Sequence, residues 1–513
     1  MILSLLAVLI GLFCLFGILV LVVYLVLFRW PRVNEFWQSN RLRFFVRKLL
    51  FYQTIGLSLL YLIILSSLYV PSVMELEDVT MDLIMELYRG DIPPREDKNI
   101  PHFVLLDIDD NTYKNWDNPL YTPRDRLNNL IDAAVQAKAR LIVVDVDVSL
   151  AMDNSSSSPY DPELKTYLEN CKNNPSACPP IILVRTFKKI ASTSVPAISK
   201  MSFFEDVVTT DNMQWGTAQF SISDTGMMRR WRLWEPSCTN QQPEVIPSIE
   251  LLVMSSLIHD CTQEDIQNAL APFIPQDCSA NNQVFSDTVG EITVCGLTIS
   301  TNTRSIEQRI MYRIPWSDGN VPPRLPRLVP DNNGVPILTI FSAQPYAESP
   351  PQASLQALTD SIVVIGGSHG YESNDPSCDV HLTPLGDMPG ALVIINAIHS
   401  LLQDITIKPV SIWKWLTIAA LLILLATLFS YFSEQWKISE KFTKKGIFGW
   451  KILWWCVVAV IIVGLLYASV VLFEDGTWLN IAIPLLIIQI YRAIYQRLWA
   501  AKWAAKIVNK FLQ

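Results

Sequence analysis

The chain has 513 residues, half of them hydrophobic, and a net charge of −8 that is unevenly placed: residues 73–411 hold 43 of its 48 acids and 23 of its 40 Lys and Arg, a net −20, while the rest sums to +12. So acidic a block is a poor surface for nucleic acid, and the basic remainder adjoins apolar runs where lipid headgroups supply the nearer negative charge, so no nucleic-acid partner is expected. Juxtamembrane Lys and Arg stay cytoplasmic whereas long acidic domains translocate, which predicts that the block lies outside the cytosol.

Residues 2–28 contain no charged side chain. As a helix rising about 1.5 Å per residue they outrun the roughly 30 Å hydrocarbon core of a bilayer. A cleaved signal peptide would have an apolar core about half as long behind a basic start, which is missing here, so a retained span is expected. A second apolar run covers 49–70, and the hairpin between carries Arg29, Arg32, Arg41, Arg43, Arg47 and Lys48 against Glu35 alone. Residues 1–72 therefore read as two spans joined by a cytoplasmic basic loop.

Inside the block, 102–109 (HFVLLDID) and 140–147 (RLIVVDVD) are β-branched runs ending in carboxylates, and 124–139 between them has helical spacing. Strand, helix, strand is the parallel crossover unit of α/β proteins. A third run, 361–366, opens onto Gly367, Ser368, His369 and Gly370, and 391–402 has a helical apolar stripe. Residues 73–411 thus read as one α/β extracytoplasmic domain, with a mixed or mostly parallel sheet, flanking helices and long polar insertions.

Seven cysteines lie in this block and Cys14 and Cys456 lie in apolar runs. Disulfides are expected in an oxidising compartment, with Cys171 to Cys178 the easiest local closure. The remaining pairing stays open, and an odd count leaves one thiol free or bridging two chains.

Beyond the block, 415–432 and 452–473 read as spans around a loop bearing Lys437, Lys441, Lys444, Lys445 and Lys451. The run 478–491 is about 21 Å long as a helix and contains Asn480, Pro484 and Gln489. It is either re-entrant or a fifth span, and the fifth span puts every basic cluster on the cytoplasmic side. Residues 412–491 are assigned three spans, which makes the expected fold an α/β domain plus five transmembrane α-helices. The tail, 492–513, has no acid and spaces its bases among Trp499, Trp503 and Phe511. It suits an amphipathic helix on an anionic leaflet, a snorkelling helix end, or a partner-docking helix.

The order of residues carries a resemblance: Asp107, Asp109 and Asp110; Pro123 and Arg124; Asp145; Asp224, Gly226, Arg229 and Arg230; Pro247 and Ser248; Tyr312 and Arg313; Val364 to Gly366; then Asp379, His381, Thr383, Pro384, Leu385, Gly386, Met388, Pro389, Gly390, Asn396 and Ala397. Over residues 98–405 this resembles the second class of CHASE domains, extracellular sensors found on bacterial histidine kinases, adenylyl cyclases and diguanylate cyclases. The DxHxTPLGxMPG stretch is its most specific part. The resemblance implies a bacterial inner-membrane protein with its domain periplasmic or extracellular. The additional amino-terminal span departs from the family, and the chain ends where a cytoplasmic effector is expected.

The expected cytosolic material is two loops and a tail of about 22 residues each, far short of the roughly 100 residues of an ordinary catalytic domain. No GxxxxGK[ST] loop and no GxGxxG after a strand is present. The chain is therefore expected not to be an enzyme, and its output to belong to another polypeptide.

Asp107 with Asp109, and Asp145 with Asp147, each share one face of a strand. Were these strands neighbours, four carboxylates would gather at their carboxyl ends, where open α/β sheets bind ligands. Such a group needs a cation, an arginine such as Arg124, or a shared proton. A structural hydrogen-bonded network is the leading reading of these carboxylates, ahead of ligand contact and of a divalent metal, and no metal or cofactor is assigned. The candidate ligand-binding set is Asp107, Asp109, Arg124, Asp145, Ser368, His369, Asp379, His381 and Thr383. A Ser368, His369, Asp379 triad lacks the GxSxG elbow, so no catalytic residue is assigned.

The leading expectation is a sensory or regulatory protein signalling through its membrane helices to a separate effector. The alternative is a structural subunit of a multi-protein cell-envelope complex. Expected partners are the lipid bilayer, an unidentified effector or envelope-complex proteins, and further copies or other subunits in a homo- or hetero-oligomer.

Overall fold

The computed structural model describes residues 71–88, most of 101–410, and scattered positions between 463 and 478. They belong to two units, Met1–Met81 with Pro409–Gln513, and Asp82–Lys408.

The expectation of five transmembrane helices is corrected. Among the described residues no helix is long and apolar enough to cross a membrane. The longest described helix, α1 (Pro71–Tyr88), carries Glu75, Glu77, Asp78, Asp82 and Glu86, and so many carboxylates are incompatible with a lipid-facing surface. Trp478, expected to open the last span, lies instead in the two-residue strand Thr477–Trp478. Its carbonyl accepts from the Val410 amide at 3.0 Å, and its indole donates to Glu77 Oε1 at 2.9 Å. The runs 2–28, 49–70 and 415–432, nearly all of 452–473, and the rest of 478–491 lie outside the described residues, as does the tail.

The unit Asp82–Lys408 is the expected α/β domain. From β1 (Phe103–Ile108) the chain passes through α2 (Asp110–Asn115) and α3 (Arg124–Gln136) to β2 (Leu141–Val144), then α4 (Asp161–Asn173) and β3 (Ile181–Val184). Next come β4 (Phe187–Lys189), β5 (Ala197–Ser199), β6 (Met213–Gly216), β7 (Phe220–Ile222), β8 (Met228–Trp231), β9 (Trp234–Thr239) and β10 (Gln242–Pro247). Then follow α5 (Ile249–Leu257), α6 (Gln263–Leu270), β11 (Glu291–Val294), β12 (Leu297–Ser300), β13 (Leu338–Ser342), α7 (Gln344–Glu348) and α8 (Gln352–Gln356). The last elements are β14 (Ile362–Gly367), β15 (Val380–Thr383), β16 (Gly386–Pro389) and α9 (Gly390–Leu402).

Six strands form one parallel sheet in the order β13-β1-β14-β2-β3-β6. Continuous apolar runs such as LIVV in β2 and IVVIGG in β14 suit it, because a parallel sheet is covered on both faces. Val104, Leu106, Ile142, Val144, Val363 and Ile365 point to the face packed by Leu127, Leu130 and Ile131 of α3 and Leu164 and Leu168 of α4. Helices α5 and α9 pack against each other, α5 against β3 and β6, and α9 against β14. A second sheet runs β10-β9-β5-β4.

Disulfides join Cys171 to Cys178, as expected, and Cys238 to Cys278 and Cys261 to Cys295, which spacing alone left open. Cys378 lies outside the described residues.

Candidate functional site

Strands β1 and β2 are not neighbours, because β14 pairs with both. The crossover through α3 skips one place in the sheet, and a strand arriving much later in sequence fills it. The chain leaves β1 and β2 toward the α3 and α4 face, but leaves β14 toward α9 on the other. Where neighbouring strands send their chains to opposite faces, a crevice opens at the carboxyl edge. By that rule the two edges of β14 are the candidate positions, with Asp107 beside one and Asp145 beside the other.

Asp107 pairs in register with Gly366, and the Asp145 amide donates to the Ile365 carbonyl at 2.8 Å. A Cβ added at Gly366 would fall 2.6 Å from the Ala391 Cβ and 3.5 Å from Asp145 Oδ2. Glycine is thus needed here so that the first turn of α9 can rest on the backbone of β14, beside Asp145.

Asp107 is 5% exposed. Its Oδ2 accepts from the Ser368 hydroxyl at 2.6 Å, and Oδ1 has no partner among the described residues. Burial lifts its pKa to about 7, against the Ser368 bond and with help from the charges of Asp109 and Asp110. Asp109 turns away to cap α2, accepting from the Thr112 amide at 2.7 Å. His369 stacks on Tyr113 with ring centroids 4.2 Å apart, and Asp110 accepts from the Gly370 amide at 2.8 Å. Ser368, His369 and Asp379 therefore each engage a different partner.

The DxHxTPLGxMPG stretch forms the hairpin β15–β16, whose turn is closed by the Thr383 hydroxyl donating to the Gly386 carbonyl at 2.6 Å. Gly386 has φ +99°, which favours glycine. Thr383 is thus a turn residue, while the hairpin sets Asp379 and His381 beside the amino end of α9. His381 Nε2 lies 2.7 Å from Asp379 Oδ1, and the Gly390 amide donates to the Asp379 carbonyl at 2.9 Å.

Burial also lifts the Asp145 pKa to about 7; the charge of Asp379 adds to this, His381 opposes it, and Glu250 adds a little more. Glu250 is the site residue that sequence reasoning missed. It sits in the first turn of α5, buried, with its pKa pushed to about 7 by desolvation against the Ser248 bond. Its Oε1 has no partner among the described residues. The nearest signal in the sequence was the Pro247, Ser248 pair, which ends two positions before it.

The expected cluster of four carboxylates does not form. Arg124 donates to Asp161 Oδ1 and to the Asp147 carbonyl, both at 3.1 Å. Asp147 accepts from Ser149, Thr186 and Lys200. Burial raises the Asp147 pKa, but the Ser149 and Lys200 bonds outweigh it and hold the carboxyl below its ordinary range.

Elsewhere in the domain, Asn396 is structural. Its Oδ1 accepts from the Arg313 and Ile314 amides at 2.9 Å each, fastening that segment to α9. His399, inside α9, is driven down to about pKa 3 by burial and Arg313. Asp82 receives Arg229, Nη2 to Oδ2 at 2.7 Å, and also Arg309.

A family model for the CHASE2 domain matches residues 57–431. No curated protein and no solved structure matches the chain. Covering well over half its length, and including the Asp379 to Gly390 hairpin, the match shows that this chain belongs to the CHASE2 family of extracellular sensor domains.

Proposed function

We propose that this chain is a sensory or regulatory protein of the bacterial inner membrane, with its α/β domain outside. It binds a ligand or protein at the crevices flanking β14 and passes the bound state through its membrane segments to a separate effector. The observation that carries this reading is the carboxyl of Asp145. It lies where two chains part to opposite faces and makes no hydrogen bond among the described residues. A carboxyl whose pKa is shifted by burial and a specific charge partner at such a place is a candidate functional group. A ligand shifts only an equilibrium whose two states it binds differently, so its contacts must alter the packing of α5 and α9.

The test is a melting-temperature screen of solutes on the detergent-solubilised full chain and its Asp145→Asn variant. A solute that raises the wild-type melting temperature and not the variant's supports the reading; a broad screen with no such solute overturns it.

Exposed Ile198 and Ile222, on strands outside the main sheet, support a second reading, docking within a multi-subunit cell-envelope assembly. Gentle affinity purification separates the two: a stoichiometric kinase or cyclase supports sensing, and a multi-protein complex or ring of copies supports docking.

A further inference from the structure

Beyond the sensor reading, and independent of it, we propose that the outer edge of β12 takes an extended segment of a partner protein as a third strand. Alternate apolar side chains of that segment sit against Trp231, Leu233 and Leu401.

The hairpin β11–β12 turns on Cys295 and Gly296, whose φ values of 52° and 77° are those of a two-residue type I′ turn. The hydrogen bond that closes such a turn makes Val294 and Leu297 a bonded pair. Bonded and non-bonded pairs alternate along an antiparallel ladder, so Thr293–Thr298 and Glu291–Ser300 are the non-bonded ones. The amide and carbonyl of Thr298 and of Ser300 therefore point away from β11, and Gln308 Nε2 donates to the Ser300 carbonyl. Among the described residues β12 has no strand partner but β11, and no hydrogen bond reaches the amide or carbonyl of Thr298.

A cavity of about 450 Å³ borders β12, within the size range of ligand sites. It follows the edge of the strand and not one face. Strand side chains alternate between faces, and Ile299 is buried while Thr298 is exposed, yet every residue from Leu297 to Ser300 lines the space. From β11 only Glu291, the partner of Ser300, does so.

An apolar part of the wall comes from Trp231, Leu233 and Leu401. The Trp231 indole N–H is taken by the Ala397 carbonyl of α9 at 3.2 Å, so its ring offers an apolar surface. Leu401 stands ten positions along α9 from Ala391, about 15 Å of helix, so this space is separate from the surroundings of Asp145.

The occupant's chemistry follows from these walls. Main-chain donors and acceptors on an open strand are matched by another extended main chain, whose alternate side chains then meet the apolar wall. The sequence of β12, LTIS, has no charge or proline of the kind that guards an edge. Its four residues limit the added strand to roughly 13 Å. The charged groups lining the space are one of each sign, Glu291 and Lys408, both exposed, which favours a peptide without net charge over an anion or a cation. A space walled by β12 on one side and by Trp231, Leu233 and Leu401 elsewhere admits a single strand more readily than a second copy, which would bring its own β11 with it.

Fluorescently labelled, acetylated and amidated hexapeptides that alternate apolar and polar residues are titrated into the detergent-solubilised full chain, with anisotropy as the readout. The expected result is saturable binding of at least one such peptide. N-methylation of every second amide should weaken that peptide at least about tenfold in one frame, as loss of about one net hydrogen bond does, and change it little in the other. Thr298→Pro removes an outward amide and no bond to β11, so it should abolish binding at a melting temperature close to the wild type's, while Thr298→Val retains binding. Should the proline variant misfold, the two N-methyl frames still decide. No binding by any peptide, equal effects in both frames, or full binding by a folded Thr298→Pro overturns the proposal. So does a wild-type dimer that Thr298→Pro converts to monomer, which would seat a second copy on this edge. None of these outcomes bears on Asp145.

Discussion

The carboxylate of Asp379 occupies the space that a side chain at Gly390 would need: a Cβ there would lie 2.0 Å from Asp379 Oδ2. A glycine at the start of α9 and an aspartate eleven positions earlier are thus one device, which brings a charge to bear on Asp145.

The two glycines under α9 should respond differently to alanine. At Gly366 the obstacle is the Ala391 Cβ on a packed helix, 2.6 Å away, whereas at Gly390 it is a partly exposed side chain that can swing aside. Gly366→Ala should cost about 1–3 kcal/mol in urea unfolding. Gly390→Ala should cost less yet break the Asp379–His381 pair, 2.7 Å apart here, seen as a moved His381 imidazole resonance by NMR. Equal costs would contradict the packing described.

Stability should fall as pH rises from about 4.5 to about 7. The ordinary carboxyl values are 3.8 for Asp and 4.5 for Glu, and burial lifts Asp107 and Glu250 both to about 7 in the fold. Between those values the native state holds more protons than the unfolded chain, so raising pH favours unfolding. Their contribution is fully present below the unfolded values and lost through the folded ones. Asp107→Asn should raise stability at about pH 8 by about 1–3 kcal/mol and change it little at about pH 4. Urea midpoints at both pH values decide the matter.

Asp82→Ala should be strongly destabilising. Asp82 is the shared acceptor of Arg229 and Arg309, whose side chains are 2% and 0% exposed. Removing one member of a buried charge group typically costs about 3–5 kcal/mol, because the remaining charge loses its compensation. A loss below about 1 kcal/mol on thermal unfolding would show that other partners of these arginines suffice.

Of the disulfides, Cys238–Cys278 spans 40 positions and Cys171–Cys178 only 7. Loop closure predicts losses of about 4 and about 2 kcal/mol respectively when each pair is replaced by alanine. The order of the two midpoints in guanidinium unfolding checks it, and a reversed order would mean that the native state, not the unfolded chain, sets the difference.

The crossover unit was legible because 102–109 and 140–147 are uninterrupted β-branched runs and 124–139 has helical spacing, and both patterns are local. Spacing placed Asp107 and Asp145 at strand ends for the same reason. Glu250 was not legible: its neighbours in sequence form an apolar helix, and only the packing of α5 beside α9 brings its charge to bear on Asp145. The reading of five spans came from hydropathy, which measures transfer to an apolar phase and is silent on which helices form. Among the described residues no helix is long and apolar enough to cross a membrane, and Trp478, read as the start of the last span, is extended.

By itself the sequence determined the parallel α/β architecture, the family signature and the short Cys171–Cys178 link, since period, turn chemistry and loop length are written in neighbouring residues. Tertiary structure alone decided that β14 separates β1 from β2, that Arg124 serves Asp161, and that the charges of Glu250 and Asp379 bear on Asp145. Strand order and charge pairing depend on contacts between segments far apart in the chain, and no local pattern encodes which distant partner wins.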